Sequence, residues 1–309
     1  MENINDTLKR LAGRDDFRKR YEQQRNQTLN HPDVKAFLKS HEDELTSEMI
    51  DKSIMKLFEY ANLSKECNKC PSLDGCINFM KGYHPKLVIQ RGNIDLNYDK
   101  CPRKMIDDEK RKNEKLIQSL YVPKDILRAS FDTLYQDDTR IDAMQKAAAF
   151  VMNYTPGSSQ KGIYFYGKFG VGKSYLLGAV ANELAEKKVP SMIVYVPELY
   201  RELKSSIGDS TLNEKIETIK KVPVLMFDDI GAETMSSWTR DEVLGPILQF
   251  RMLESLPTFF SSNFDFHELE HHLAHSQRGE EEKMKARRIM ERIRYLAEPV
   301  LVEGPNRRK

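Results

Sequence analysis

At 309 residues, with 39% hydrophobic and 31% charged residues, the chain is long enough for two domains, one of which can bury a sizeable core. Mean hydropathy is −0.62 and apolar runs such as Val222 to Phe227 are too short to span a bilayer, while Met1-Glu2-Asn3-Ile4-Asn5-Asp6 has no signal-peptide pattern, so no membrane contact and a cytoplasmic address are expected. A net charge of +2 gives no general attraction to nucleic acid, so any DNA contact must come from a local basic surface.

The first sixty residues read as helical. Lys9-Arg10, Arg14, Arg18-Lys19-Arg20 and Arg25 form a basic segment that reads as a solvated helix face, with a partner-protein contact as the sharper alternative. Val34, Phe37 and Leu38 mark a short helix that Asn30 or Asp33 can cap. Leu45, Met49, Ile50, Ile54, Leu57, Phe58 and Ala61 recur largely at helical spacing.

All four cysteines come next. Cys67-Asn68-Lys69-Cys70 is a C-x-x-C in which two thiolates can share one ion, and Cys76, His84 and Cys101 follow. Alternating residues over 87–89 and 94–98, around Arg91-Gly92-Asn93, predict a β-hairpin that folds Cys101 back towards Cys67 and Cys70. In a reducing compartment this clustering points to metal ligation rather than disulfides, and mixed Cys and His ligands suit Zn²⁺. Cys67, Cys70 and Cys101 are the favoured ligands, with His84 or Cys76 as the fourth. Four protein ligands close a site, so the zinc would be structural.

A charge run from Asp107 to Lys115 buries almost nothing, which sets a charged linker at 107–122 between a small α+β zinc-binding domain, 1–106, and a second domain, 123–309. There, Gly167-Lys168-Phe169-Gly170-Val171-Gly172-Lys173-Ser174 fits the phosphate-loop pattern between an apolar strand and a helix. Its glycines let backbone N–H groups wrap phosphate oxygens, Lys173 reaches the β- and γ-phosphates of ATP, and Ser174 ligates Mg²⁺. Strands at 191–196, 222–229 and 257–263 alternate with helical segments, two of them at 198–207 and 212–221 and a third at 239–254. The fold class is therefore α/β, a parallel sheet with helices on both faces and the polar strand ends gathered around the loop. Asp228, ending an apolar strand, can hold Mg²⁺. Asp229 can orient or deprotonate the attacking water, and Asn263 can position that water or contact the γ-phosphate. His271 and His275 have i, i+4 spacing, but no H-E-x-x-H arrangement surrounds them, so they read as a polar helix face.

Phosphate loop, Asp-Asp strand and Ser-Ser-Asn strand, in this order, resemble AAA+ ATPases, and within them the DnaC/DnaI group of bacterial helicase loaders. The resemblance covers nearly the whole chain and includes Arg287-Arg288-Ile289-Met290-Glu291-Arg292 and the cysteine-bearing domain. It implies that Asn263 is sensor 1, that Arg292 is an arginine finger reaching a neighbouring subunit's nucleotide, and that Arg307 stands at sensor 2. It also implies that residues from Ile126 to Phe131 pack around the adenine. The partners implied are the hexameric replicative helicase, gripped by the zinc domain, single-stranded DNA, other primosome proteins and further copies of the chain. Arg201, Lys204, Lys215, Lys220 and Lys221 would line the DNA path, with only Tyr200 nearby for stacking. The Asp-Asp pair departs from the Asp-Glu of most AAA+ proteins. The shorter side chain predicts slow hydrolysis and a nucleotide that acts mainly as a switch. A transposition helper ATPase shares this core but lacks the zinc pattern; a nucleotide-gated binding module with little hydrolysis is the other alternative. A metabolic P-loop kinase fits less well, because Arg287, Arg288, Arg292 and Arg294 suit bridging between subunits better than a lid.

Overall fold

Short amphipathic helices build the first part of the chain, and each stops where its apolar spacing stops. The structure, a computed structural model, describes residues 15–65, 70, 72–134, 138–208, 211–275 and 282–307, without the side chains of 15–17 and 138. Cys67 and the basic residues Lys9, Arg10 and Arg14 lie outside the described residues. The chain divides into two units, 1–110 and 111–309.

In the first unit, α1 (Asp15–Leu29), α2 (Pro32–Ser40), α3 (Ser47–Lys52) and α4 (Ile54–Asn62) precede the hairpin β1 (Tyr83–Gln90) and β2 (Asn93–Lys100). Val34, Leu57, Leu87 and Ile94 form its small core. The hairpin turns at Arg91 and Gly92, with φ of 49° and 73°, the doubly positive geometry that matches strand twist. The cap of α2 is neither Asn30 nor Asp33 but His31, whose Nδ1 accepts the Asp33 N–H at 3.4 Å. Asp33 lies inside the first turn and pairs with Lys65 at 2.6 Å.

The stretch expected as a charged, partly helical linker is helix and then strand. Residues 107–114 complete α5 (Pro102–Glu114), and β3 (Ile117–Leu120) adds an edge strand to the sheet of the second unit. The charges of α5 sit on a helix with no buried residue, so the absence of a core-facing stripe there did not mean an absence of structure.

The second unit contains α6 (Lys124–Leu127), α7 (Ile141–Asn153), β4 (Gly162–Tyr166), α8 (Lys173–Glu186), β5 (Ser191–Tyr195), α9 (Val196–Ser205), α10 (Leu212–Lys221) and β6 (Val224–Asp228). A π-helical turn (Thr239–Leu244), α11 (Gly245–Leu253), β7 (Thr258–Ser262), α12 (Phe266–Ala274), α13 (Lys283–Leu296) and β8 (Ala297–Leu301) follow. The six strands run parallel in the order β3-β5-β6-β7-β4-β8. Side chains alternate between faces: Tyr164 joins one core cluster, Ile163 and Phe165 the other. The helix expected over 239–254 opens with a wider turn, in which the Gly245 N–H donates to the Arg240 carbonyl. Pro246 follows and has no N–H to give, so the regular ladder cannot pass through it.

Two charges, Arg240 and Arg251, are fully interior among the described residues. Arg251, 0% exposed, donates to the carbonyls of Lys220, Val222, Pro223 and Pro257 and to Thr258 Oγ1. It ties together the segments that lead into β6 and β7. Burial pushes its pKa down to about 9.

Candidate active site

The phosphate loop leaves β4, which lies between β7 and the edge strand β8, and runs into α8. Gly167, Gly170 and Gly172 all have positive φ, at 142°, 73° and 99°, which only glycine adopts freely. A Cβ on Gly167 would lie 2.3 Å from the Val302 carbonyl, and one on Gly170 1.9 Å from Asn306 Oδ1. The segment after β8 therefore lies against the loop, and the Arg307 N–H donates to the Gly170 carbonyl at 3.0 Å.

Lys173 is buried and donates to the carbonyls of Gly167 and Lys168 and to Asn263 Oδ1, each at 2.8 Å. Asn263 in turn donates from Nδ2 to Asp229 Oδ1 at 3.2 Å. The three residues form one polar chain at the carboxyl ends of β6 and β7. Asp229 sits at φ 60°, a left-handed turn that aspartate tolerates better than most. Asp228 is 3% exposed; burial raises its pKa, against the lowering effect of hydroxyls from Ser261 and Ser174. Ser261 Oγ donates to Asp228 at 2.5 Å and accepts the Asp229 N–H at 2.9 Å. Ser261 on β7 thus orients the Asp228 carboxylate and fixes the backbone of Asp229, a role that sequence reading did not give it. The Ser174 hydroxyl against the Asp228 carboxylate is an all-oxygen pair of the kind Mg²⁺ takes.

A cavity of about 350 Å³ is lined by Ile126, Arg140, Lys173, Asp229, Asn263 and Arg307, among others. That volume is within the range of small-ligand sites. Ile126 and Arg307 are both among its lining residues. Arg140 is new: 2% exposed, it comes from the start of α7, where no periodicity or motif marks it. Arg292 does not line this cavity. It lies on α13 and donates to the Gly245 carbonyl at 2.8 Å.

The basic residues expected on the DNA path are largely paired. Arg201 bonds Glu198, Lys215 bonds Glu202, and Lys220 and Lys221 bond Glu217. Tyr200 is 4% exposed, so it cannot stack on bases; its ring belongs to the core stripe of an amphipathic helix. His271 and His275 stack at 4.3 Å, and His275 Nδ1 bonds the His271 carbonyl.

In the first unit, Cys70, Cys76, His84 and Cys101 all line one small cavity. No group of three or more His, Cys, Asp or Glu side chains is set to hold a metal ion among the described residues, which exclude Cys67. The donor chemistry nevertheless fits a thiophilic ion. His84 Nδ1 is buried with no hydrogen-bond partner among the described residues. Backbone N–H groups of Gly82 and Lys104 donate to the sulfurs of Cys76 and Cys101 at 3.5 and 3.4 Å. The Gly82 contact holds the Cys76 thiol below its usual range.

Comparison with known proteins covers both units. The family described as primosomal protein DnaI N-terminus matches residues 1–98, and the bacterial DnaA ATPase domain matches residues 128–254. The replicative helicase loader DnaI of Bacillus subtilis (strain 168) is 50% identical over 309 residues, 100% of this chain and 99% of that protein. The replicative helicase loader DnaC of Escherichia coli (strain K12) is 24% identical over 157 residues, 50% of this chain and 58% of that protein. The crystal structure of DnaI is 58% identical and covers 64% of this chain and 100% of its own, with a TM-score of 0.57. The DnaC helicase loader structure, 22% identical, shares the fold over 59% of this chain and 100% of its own, with a TM-score of 0.50.

Proposed function

The chain belongs to the family of the replicative helicase loader DnaI, and on that premise we propose that it binds the hexameric replicative helicase and delivers it onto single-stranded DNA, with ATP as the switch. The carrying observation is that 50% identity runs through 100% of the chain, across both units at once. A shared ATPase core alone would leave a transposition helper as an equal reading; the likeness of residues 1–98 to the DnaI N-terminus does not.

ATP binds in the cavity beside the phosphate loop, on its N–H groups and Lys173. Mg²⁺ is held by Ser174 and Asp228 and supplies charge neutralisation for the phosphates. Asp229 orients or deprotonates the attacking water. Asn263, bonded to both Lys173 and Asp229, reports whether a γ-phosphate has displaced it. Aspartate in place of the usual glutamate makes turnover slow. Arg292, outside the cavity of its own chain, serves a neighbour's nucleotide, so the loader self-associates through its ATPase domain. Residues Cys67, Cys70 and Cys101, with His84 or Cys76, hold a structural Zn²⁺ that contributes folding energy to the helicase-gripping domain. Contact with single-stranded DNA falls to phosphates alone, since Tyr200 is interior. This work beside helicase, DNA and other primosome proteins is cytoplasmic.

The test is recovery of partners from cytoplasm on the full chain, with and without ATP. Recovery of the replicative helicase supports the reading. Recovery of a transposase in its place overturns it.

A further inference from the structure

The wall of the nucleotide cavity changes character along α8. Lys173 and Ser174 open that helix at its phosphate end. Further along, Gly178 lets the Ile126 carbonyl approach so closely that a Cβ there would lie 2.0 Å from it. Asn182, about one turn beyond Gly178, donates to the carbonyls of Leu127 and Ala129 at 2.9 Å each. The segment that brings the apolar lining residues Ile126 and Leu134 is thereby clamped along the same helix. Tyr175 stands between the phosphate end and this clamp. Its hydroxyl meets that of Thr133 at 3.3 Å, and both residues line the cavity.

The direction of that hydrogen bond follows from the turn that holds Thr133. Residues Phe131–Thr133 form a 3₁₀ turn closed by a capping box. In it the Thr133 N–H donates to Ser130 Oγ, and the Ser130 N–H donates to Thr133 Oγ1, each at 3.2 Å. Thr133 Oγ1 gives its own hydrogen to the Ser130 carbonyl at 3.0 Å. With that hydrogen committed, Thr133 accepts from the Tyr175 O–H. The phenol oxygen then keeps acceptor lone pairs and has no hydrogen of its own to offer the cavity. It suits a ligand group that donates. In a nucleotide lying from the phosphate loop to the apolar wall, the sugar falls between phosphates and base, and its hydroxyls are donors.

We propose that Tyr175 is a specificity-determining residue whose phenol oxygen accepts a hydrogen bond from a ribose hydroxyl of the bound nucleotide, so that the cavity takes ribonucleotides in preference to deoxyribonucleotides. The proposal rests on the reading of this cavity as an ATP site and concerns the part of the substrate that the phosphate loop does not touch. ATP and its deoxy forms carry the same phosphates and base, so the loop, Lys173 and the apolar wall hold them equally. The difference between them falls to a group that pairs with the sugar, because an acceptor left unmatched penalises the analogue that lacks the hydroxyl.

The experiment is a calorimetric titration of the full chain with ADP, 2′-deoxy-ADP and 3′-deoxy-ADP in the presence of Mg²⁺. Wild type, Tyr175→Phe and Lys173→Ala are compared, with melting of the nucleotide-free proteins as the check on folding. Wild type is expected to bind ADP about three- to tenfold more tightly than one of the two deoxy forms. Which form is disfavoured identifies the hydroxyl that Tyr175 meets. Tyr175→Phe keeps the ring and loses the oxygen. Its ADP affinity should fall to within about twofold of wild type's affinity for that deoxy form, and its preference should vanish. Equal binding of all three nucleotides by wild type, or a preference that survives in Tyr175→Phe, overturns the assignment. A variant that loses ADP and both deoxy forms alike overturns it too, since the tyrosine would then serve the packing of the site. If Lys173→Ala loses ADP while Tyr175→Phe keeps the preference of wild type, Tyr175 alone is misassigned. If wild type binds none of the three, or Lys173→Ala binds ADP as tightly as wild type, the ATP site itself is misplaced and both readings fall.

Discussion

Replacing Glu233 with glutamine should stabilise the ATPase unit at pH 8 and do almost nothing at pH 5. Glu233 is 8% exposed, and its Oε2 accepts the Gly231 N–H at 2.9 Å. Its Oε1 is buried without a hydrogen-bond partner among the described residues. Burial, with a smaller contribution from Asp229, pushes its pKa up to about 7 from the ordinary 4.5. The folded chain therefore holds this proton more tightly than the unfolded chain. The associated stability is complete below about pH 4.5 and is lost as pH rises through about 7. The gap corresponds to about 3 kcal/mol, taken as an upper value because the site can relax when charged. Glutamine keeps the shape and the carbonyl acceptor but never ionises. Trp238 is the single tryptophan and packs against the core of this unit, so its fluorescence follows urea unfolding there. The advantage of Glu233→Gln over wild type should grow by about 2–3 kcal/mol between pH 5 and pH 8. An advantage that is equal at the two pH values would refute the argument, since every other titrating group cancels in the difference.

Asp229→Glu should raise ATP turnover by restoring the longer reach to water; no gain, measured as phosphate release, would count against the geometric account of a slow site. Arg251→Met should lower unfolding free energy by about 3 kcal/mol or more, because four carbonyls lose a buried donor together; loss of less than about 1 kcal/mol in the same urea assay would show that water replaces it. For zinc, one equivalent per chain is expected by metal analysis. The His84→Ala and Cys76→Ser variants separate the fourth ligand, since only the true ligand's loss should release the ion to a chelator and unfold residues of the first unit.

Much of the site was legible because its chemistry demands particular residues at fixed spacing. The phosphate loop, the Asp-Asp strand end and Asn263 are each marked by an apolar strand that stops at a polar residue, and the fold brings all three together. The hairpin was legible for a similar reason, as alternation on either side of Arg91-Gly92. Other features leave no such trace. Arg140 lies beside Gly172 and Ser261 bonds Asp228, each a neighbour distant in sequence. Strand β3 was missed just after the charge run, because four residues with only Ile117 and Leu120 apolar are too short to show a period. Tyr200 read as an exposed aromatic among lysines, although its place on the buried stripe of α9 with Leu199 and Leu203 puts it inside. The cap of α2 is a histidine because the helix starts at Pro32, which puts Asp33 inside the first turn and leaves His31 as the flanking residue.

The segment lying against the phosphate loop also carries a consequence for the order of assembly. Strand β4 and its loop leave the ribosome long before β7 and β8, the two strands that flank β4, and before the residues that bond Gly170. Chains fold as they are made, yet this one cannot complete its nucleotide pocket until that late segment arrives. The loop therefore lacks part of its packing until the end of synthesis.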